Sequence, residues 1–118
     1  RAKEYGITVV TREDLRTKSI RRVIAKALKI AGSGGREIYV DIDVDVCDRS
    51  VAPACPASLP GGISADEIRQ ATRLLASDTR VRAIDITEID AKLDTPDQRT
   101  TRLAALLVLE AAAGLASR

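Results

Sequence analysis

A chain of 118 residues fits one domain of modest size, and its 45% hydrophobic content is ordinary for a globular protein. Aromatic residues make up only 2%, with Phe, Trp and Met absent, so any core must be built from Ala, Leu, Ile and Val. Lys and Arg total 19 against 17 Asp and Glu, the only cationic stretch is mixed, and no apolar run approaches the roughly 18 residues a membrane span needs. These features argue against a nucleic-acid partner and a membrane protein, and for a soluble, cytoplasmic one.

In chain order, Ile7 to Val10 is a β-branched run that reads as a first strand. The segment from Thr11 to Ala31 places Leu15, Ile20, Val23, Ile24, Ala27, Leu28 and Ala31 at helical spacing, with Thr11 as a possible N-cap and "GSGG" at 32–35 as its stop. A strand is expected from about Glu37 to Val46. Residues 47–63 hold three of the four prolines and end in "LPGG", which predicts an ordered, irregular loop whose glycines let the backbone approach closely.

Ser64 then caps a helix with Glu67 as its capping-box partner, and Ile68, Ala71, Leu74 and Leu75 form its apolar face. Val81 to Ile86 returns to strand. A loop around "DAKLDTP" leads into a last helix over roughly 97–116. The order β-α-β-α-β-α predicts parallel strands joined by crossovers, with helices on the sheet: a three-layer αβα fold. In such sheets the ligand site lies beyond the carboxyl ends of the strands.

Chemistry-bearing residues are few. Cys47 and Cys55 lack the spacing and the histidines of a zinc site and read as two reduced, small apolar residues. Histidine is absent altogether, which removes the usual general base and the usual nitrogen ligand for a metal.

The acids, by contrast, are concentrated. In "IYVDIDVDVCD" at 38–48, alternation puts Ile38, Val40, Ile42, Val44 and Val46 on one face and Tyr39, Asp41, Asp43 and Asp45 on the other. Carboxylates crowded at a strand end lose hydration and repel one another, and a hard divalent cation would compensate both effects. A solvated strand end with surface acids is the plainer alternative.

Two families carry a strand ending in Asp-x-Asp. "DVDV" at 43–46 resembles the first motif of haloacid-dehalogenase-like phosphohydrolases, a short pattern. The longer stretch "DIDVDVCDRSVAPACPASLPGG" resembles the third signature of the arginase/agmatinase/formimidoylglutamase (ureohydrolase) family. Asp43 and Asp45 fall on its two metal-binding aspartates, Pro53 and Ala54 on its Pro and small residue, and Gly62 on its closing Gly. Downstream, "AIDITEIDAKLDTPDQRTTRLAALLVLEAAAGL" resembles the family's strand ending in Glu, its loop and its long Ala/Leu-rich helix. Asp41 and Arg49 depart from the pattern, standing where the family usually has Ser and Pro.

The resemblance implies an arginase-like fold in which 1–118 is the carboxy-terminal portion of a single domain. It also implies binuclear manganese chemistry: two Mn2+ per complete site, sharing a hydroxide that attacks the carbon of a linear amidine, guanidino or formimino. Asp43 and Asp45 would be metal ligands, Glu88 the substrate-facing carboxylate, and Asp48 an outer partner that orients the loop. The other ligands and a proton-shuttling histidine would come from a missing amino-terminal half, so this segment alone is expected to be inactive. An agmatinase-like substrate ranks first, with formimidoylglutamase and arginase specificities as alternatives, and a homo-oligomer is expected. A further alternative is an inactive or partner-dependent fragment, because an almost wholly apolar last helix leaves surface for another segment to cover.

Overall fold

The computed structural model describes residues 1–118, the side chain of Lys3 excepted. Four α-helices and two β-strands follow one another as α1 (Arg12–Thr17), α2 (Ile20–Ala31), β1 (Ile38–Asp43), α3 (Ala65–Ser77), β2 (Val81–Thr87) and α4 (Arg99–Ala116). β1 and β2 pair in parallel through the α3 crossover, with Val40 opposite Ile84, Asp41 opposite Asp85 and Asp43 opposite Thr87. This is the expected parallel α/β arrangement in partial form.

The core grows from the alternation along β1. Ile38, Val40 and Ile42 point inward and are joined by Val44, while Tyr39 and Asp41 point outward. Ile68 of α3 and Leu103 and Leu107 of α4 close over the aliphatic face, and Val81 opens β2 into the same cluster. Where α3 and α4 cross, Gly114 is indispensable: a Cβ there would lie 2.5 Å from the Arg73 carbonyl oxygen and 2.7 Å from the Ala76 Cβ. The crossing is reinforced by Glu110 of α4, which pairs with Arg69 at 2.8 Å and Arg73 at 2.7 Å. The hydrogen bond from Arg69 and the two nearby guanidinium charges hold its carboxyl below the usual range.

Three expectations need correction. Ile7–Val10 forms no strand; Ile7, Val9 and Val10 are exposed, since an apolar run becomes a strand only where a sheet edge receives it. The first predicted helix is two: α1 opens on a Thr11–Asp14 capping box and ends at the extended Lys18, and Ser19 then caps α2 afresh by accepting from the Arg22 N–H. The strand through the acids stops at Asp43, and Val44–Val46 turns as a short 3-10 segment, so Val46 is 48% exposed instead of sharing the inner face.

Other signals fold as read. Ser64 and Glu67 form the capping box of α3, and Gly34 and Gly35 adopt positive φ after α2. At α4 the cap comes from Asp94, outside the helix, whose carboxylate accepts from the N–H groups of Thr100 and Thr101. Along β2 and α4 runs an open groove of about 500 Å³, lined by Val81, Ile84, Ile86, Val108, Ala112 and Leu115 among others. Among the described residues no helix is long and apolar enough to cross a membrane.

Two outcomes test this packing. Gly114→Ala should lower the unfolding free energy by about 1–3 kcal/mol, the usual penalty for overpacking a tight contact, read from urea denaturation. Thr100→Val should cost about 1–3 kcal/mol in the same assay, because the buried Thr100 hydroxyl accepts from the Ala54 N–H at 3.0 Å and its loss orphans that donor.

Candidate functional site at the carboxyl ends of the strands

The two strands deliver their carboxyl ends side by side, β1 ending in Asp43 and β2 in Thr87, with Glu88 next. At the end of β1 the backbone tightens. The Asp43 carboxylate accepts from the Asp45 N–H at 3.0 Å, which makes Asp43 the cap of the short Val44–Val46 turn. Val44 is fully buried and anchors the turn to the core, while Asp43 and Asp45 remain half-buried on either side of it.

Asp45 therefore does not continue a flat strand face, as alternation predicted; a turn holds it against Asp43. Burial first, then the charge of Asp43 and a hydrogen bond with it, push the Asp45 carboxyl above its ordinary range. A carboxylate pair held in this way is short of positive charge. Both donors are hard oxygens, so the pair fits a divalent cation of the Mg or Mn type better than a soft metal. Among the described residues no three His, Cys, Asp or Glu side chains converge on one point. Two carboxylates alone fall short of a complete coordination sphere.

Asp48 anchors the loop that follows. Its carboxylate accepts from the Ser50 N–H at 2.9 Å, the Ser50 hydroxyl at 2.6 Å and the Gly61 N–H at 2.7 Å. The Ser50 hydroxyl and the two backbone N–H groups hold its carboxyl below the usual range. The loop base is closed by the Asp48 N–H donating to the Ile63 carbonyl and the Ile63 N–H to that of Val46, each at 2.9 Å. Gly62 permits this closure, since a Cβ there would sit 2.3 Å from the Cys47 carbonyl carbon. Cys47 and Cys55 are free and fully buried, and burial pushes the Cys47 thiol up to about 12, far from reactive thiolate character.

Glu88 is exposed and adopts a positive φ of 63°, a conformation that a non-glycine residue holds only where its surroundings enforce it. The enforcement is visible two residues on. The Asp90 N–H donates to the Ala54 carbonyl at 3.0 Å, tying the segment after β2 to the loop after β1.

Sequence reasoning missed several of these contacts. On the open sheet face, the Thr87 hydroxyl donates to Asp41 at 2.8 Å and the Tyr39 hydroxyl donates to Asp85, whose other oxygen is buried without a partner. That hydrogen bond, burial and the neighbouring carboxylate charges push the Tyr39 phenol up. Arg49 donates from a single nitrogen to the carbonyls of Cys55, Pro56 and Ser58 at 3.0, 3.2 and 3.4 Å. The only signal of that role was the departure from Pro at this position.

Comparison with known proteins gives this geometry a context. The chain is 35% identical over 114 residues to a formimidoylglutamase of Bacillus subtilis, covering 97% of this chain and 35% of that protein. It is 37% identical over 111 residues to a mitochondrial arginase of Medicago truncatula, covering 94% and 31%. The crystal structure of the Bacillus subtilis formimidoylglutamase superposes with a TM-score of 0.90 at 35% identity, over 98% of this chain and 36% of that one. The chain therefore spans about a third of the length of these relatives. The sequence model of the Arginase family matches residues 1–114, and the chain belongs to that family.

Proposed function

We propose that the protein carrying this chain hydrolyses a C–N bond of a linear amidine with the help of two manganese ions, and that this chain contributes Asp43 and Asp45 as ligands and Glu88 as the substrate-facing carboxylate. The observation that carries the reading is the turn that holds Asp45 against Asp43 beside the Glu88 segment. Membership of the Arginase family supports it, and the family match leaves the "DVDV" likeness to phosphohydrolases as a coincidence of four residues. Relatives named formimidoylglutamase at 35% and 33% identity favour a formimino substrate over the agmatine ranked first from sequence. Relatives named arginase keep a guanidino substrate as the second reading.

When bound, manganese supplies Lewis-acid activation of water near neutral pH. The residues of this chain supply charge and position. Asp43 and Asp45 present two anionic oxygens from one turn, and Val44 between them keeps that turn from collapsing or swinging outward. Glu88 is held by the Asp90–Ala54 tie, free to accept hydrogen bonds from a planar cationic amidine, the pairing in which carboxylates bind best. Asp48 fixes the loop between them. The remaining ligands and the proton shuttle belong to segments outside this chain, and a cytoplasmic homo-oligomer remains the expected form.

Manganese titration of the full-length protein tests the assignment. Asp43→Ala and Asp45→Ala should each weaken binding by more than the ~10–100-fold that loss of an outer partner alone produces, and should abolish amidine hydrolysis. Glu88→Gln should leave metal affinity intact and reduce kcat/KM about 10–100-fold, as expected for one charge-assisted contact. Unchanged metal binding in both aspartate variants would remove the site.

A second outcome concerns the metal-free chain. Because the Asp45 carboxyl is raised in the fold, its ionisation disfavours the folded state, and stability is lost as pH rises through the folded value. Asp45→Asn should therefore raise the unfolding free energy at pH 7 by about a few tenths of a kcal/mol after solvent screening, read from urea denaturation. The gain should vanish below about pH 3, where the aspartate is already neutral.

A further inference from the structure

The loop from Cys47 to Gly62 is held by two separate sets of bonds. Its base is a short ladder, Cys47 to Ile63, with the Asp48 carboxylate reaching across to the Gly61 N–H. Its crown is held by Arg49. Besides its three carbonyl contacts, the Arg49 N–H donates to the Leu59 carbonyl at 3.2 Å, and the Ser58 hydroxyl bonds the Ala52 and Cys55 carbonyls at 2.9 Å. A guanidinium nitrogen among three backbone oxygens occupies the place a small cation would take, and it gathers the carbonyls of Cys55, Pro56 and Ser58 with charge-assisted strength.

The crown also touches the segment that follows β2 and the start of α4. Ala54, one residue before the clamped Cys55, accepts from the Asp90 N–H and donates to the Thr100 hydroxyl. A continuous chain of bonds therefore runs from Arg49 through 55–58 to Ala54 and on to the segment that holds Glu88 at positive φ. Asp43 and Asp45 lie on the other side of the ladder, held by their own turn and the buried Val44. We propose that Arg49 is a positioning residue for Glu88, acting through the Ala54–Asp90 hydrogen bond and independently of the two aspartates. The proposal rests on the reading of Glu88 as the group that meets substrate.

Amide hydrogen exchange on this chain tests the coupling directly. Arg49→Ala should accelerate exchange of the Asp90 and Ser58 N–H groups about tenfold or more, with Asp48 and Ile63 unchanged. Arg49→Lys, which keeps the charge and some donor capacity, should fall between the two and also guards against a variant that does not fold. In the full-length protein, Arg49→Ala should raise KM about tenfold through a misplaced Glu88, with kcat less affected and manganese affinity within about twofold. Lys should partly rescue KM. The proposal is overturned if Asp90 exchange does not change, if Asp48 and Ile63 loosen along with it, or if KM stays put while exchange moves. Failure of the underlying reading looks different: Glu88→Gln would leave KM untouched, while the exchange pattern of Arg49→Ala still held.

Discussion

The structure depends on a contest along one strand, between the aliphatic residues of β1 that must be buried and the acids that must not. Ile38, Val40, Ile42 and Val44 are 7%, 8%, 6% and 0% exposed, and full burial of such a side chain is worth about 1.5–3 kcal/mol each. Repulsion between two partly solvated carboxylates in contact is on the order of 1–4 kcal/mol. The aliphatic stripe wins by a wide margin and dictates where the acids go. Asp41 is forced onto the open face, Asp43 to the rim, and Asp45 beyond the last pleat, where the chain turns so that Val44 can enter the core. The crowding of Asp43 and Asp45 thus follows from the burial of Val44 together with the Asp43 cap on the Asp45 N–H.

The same economy joins the two strand ends. Parallel pairing brings Asp43 and Thr87 into register, but it leaves the segments beyond them free to splay. What prevents this is a set of ordinary backbone bonds: Ala54 with Asp90 and Thr100, Asp48 with Gly61, and the carbonyls collected by Arg49. The positive φ of Glu88 is held locally by contacts whose other end lies more than thirty residues earlier in the chain. Here the tertiary fold decides a backbone angle that local preference would refuse.

Much of this was legible in the sequence. Period-two alternation marked β1, the Ser64–Glu67 capping box marked α3, and the Pro- and Gly-rich run marked the loop, because each signal is local. The misreadings share a cause. Ile7–Val10 has strand composition, but strand formation needs a partner edge, which composition does not encode. Val46 continues the alternating pattern, but the Asp43 side chain captures the Asp45 N–H and bends the chain before the pattern can be used. Ser19 looked like one more helical position until its hydroxyl capped α2. For the site, the family resemblance named Asp43, Asp45, Asp48 and Glu88, whereas the Arg49 guanidinium and the Ala54 backbone work on main-chain partners that residue types do not encode.

Closure of the loop at Cys47 and Ile63, made possible by the missing side chain at Gly62, separates what lies above the knot from what lies below it. The register of β1 and the start of α3 are set below the knot, whereas residues 50–60 serve contacts above it: Ala52 and Cys55 enter the core and Ala54 ties to Asp90. Strain introduced above the knot is therefore passed to the Glu88 side of the cleft through Ala54 and stays insulated from the acids, which remain where the pleat left them.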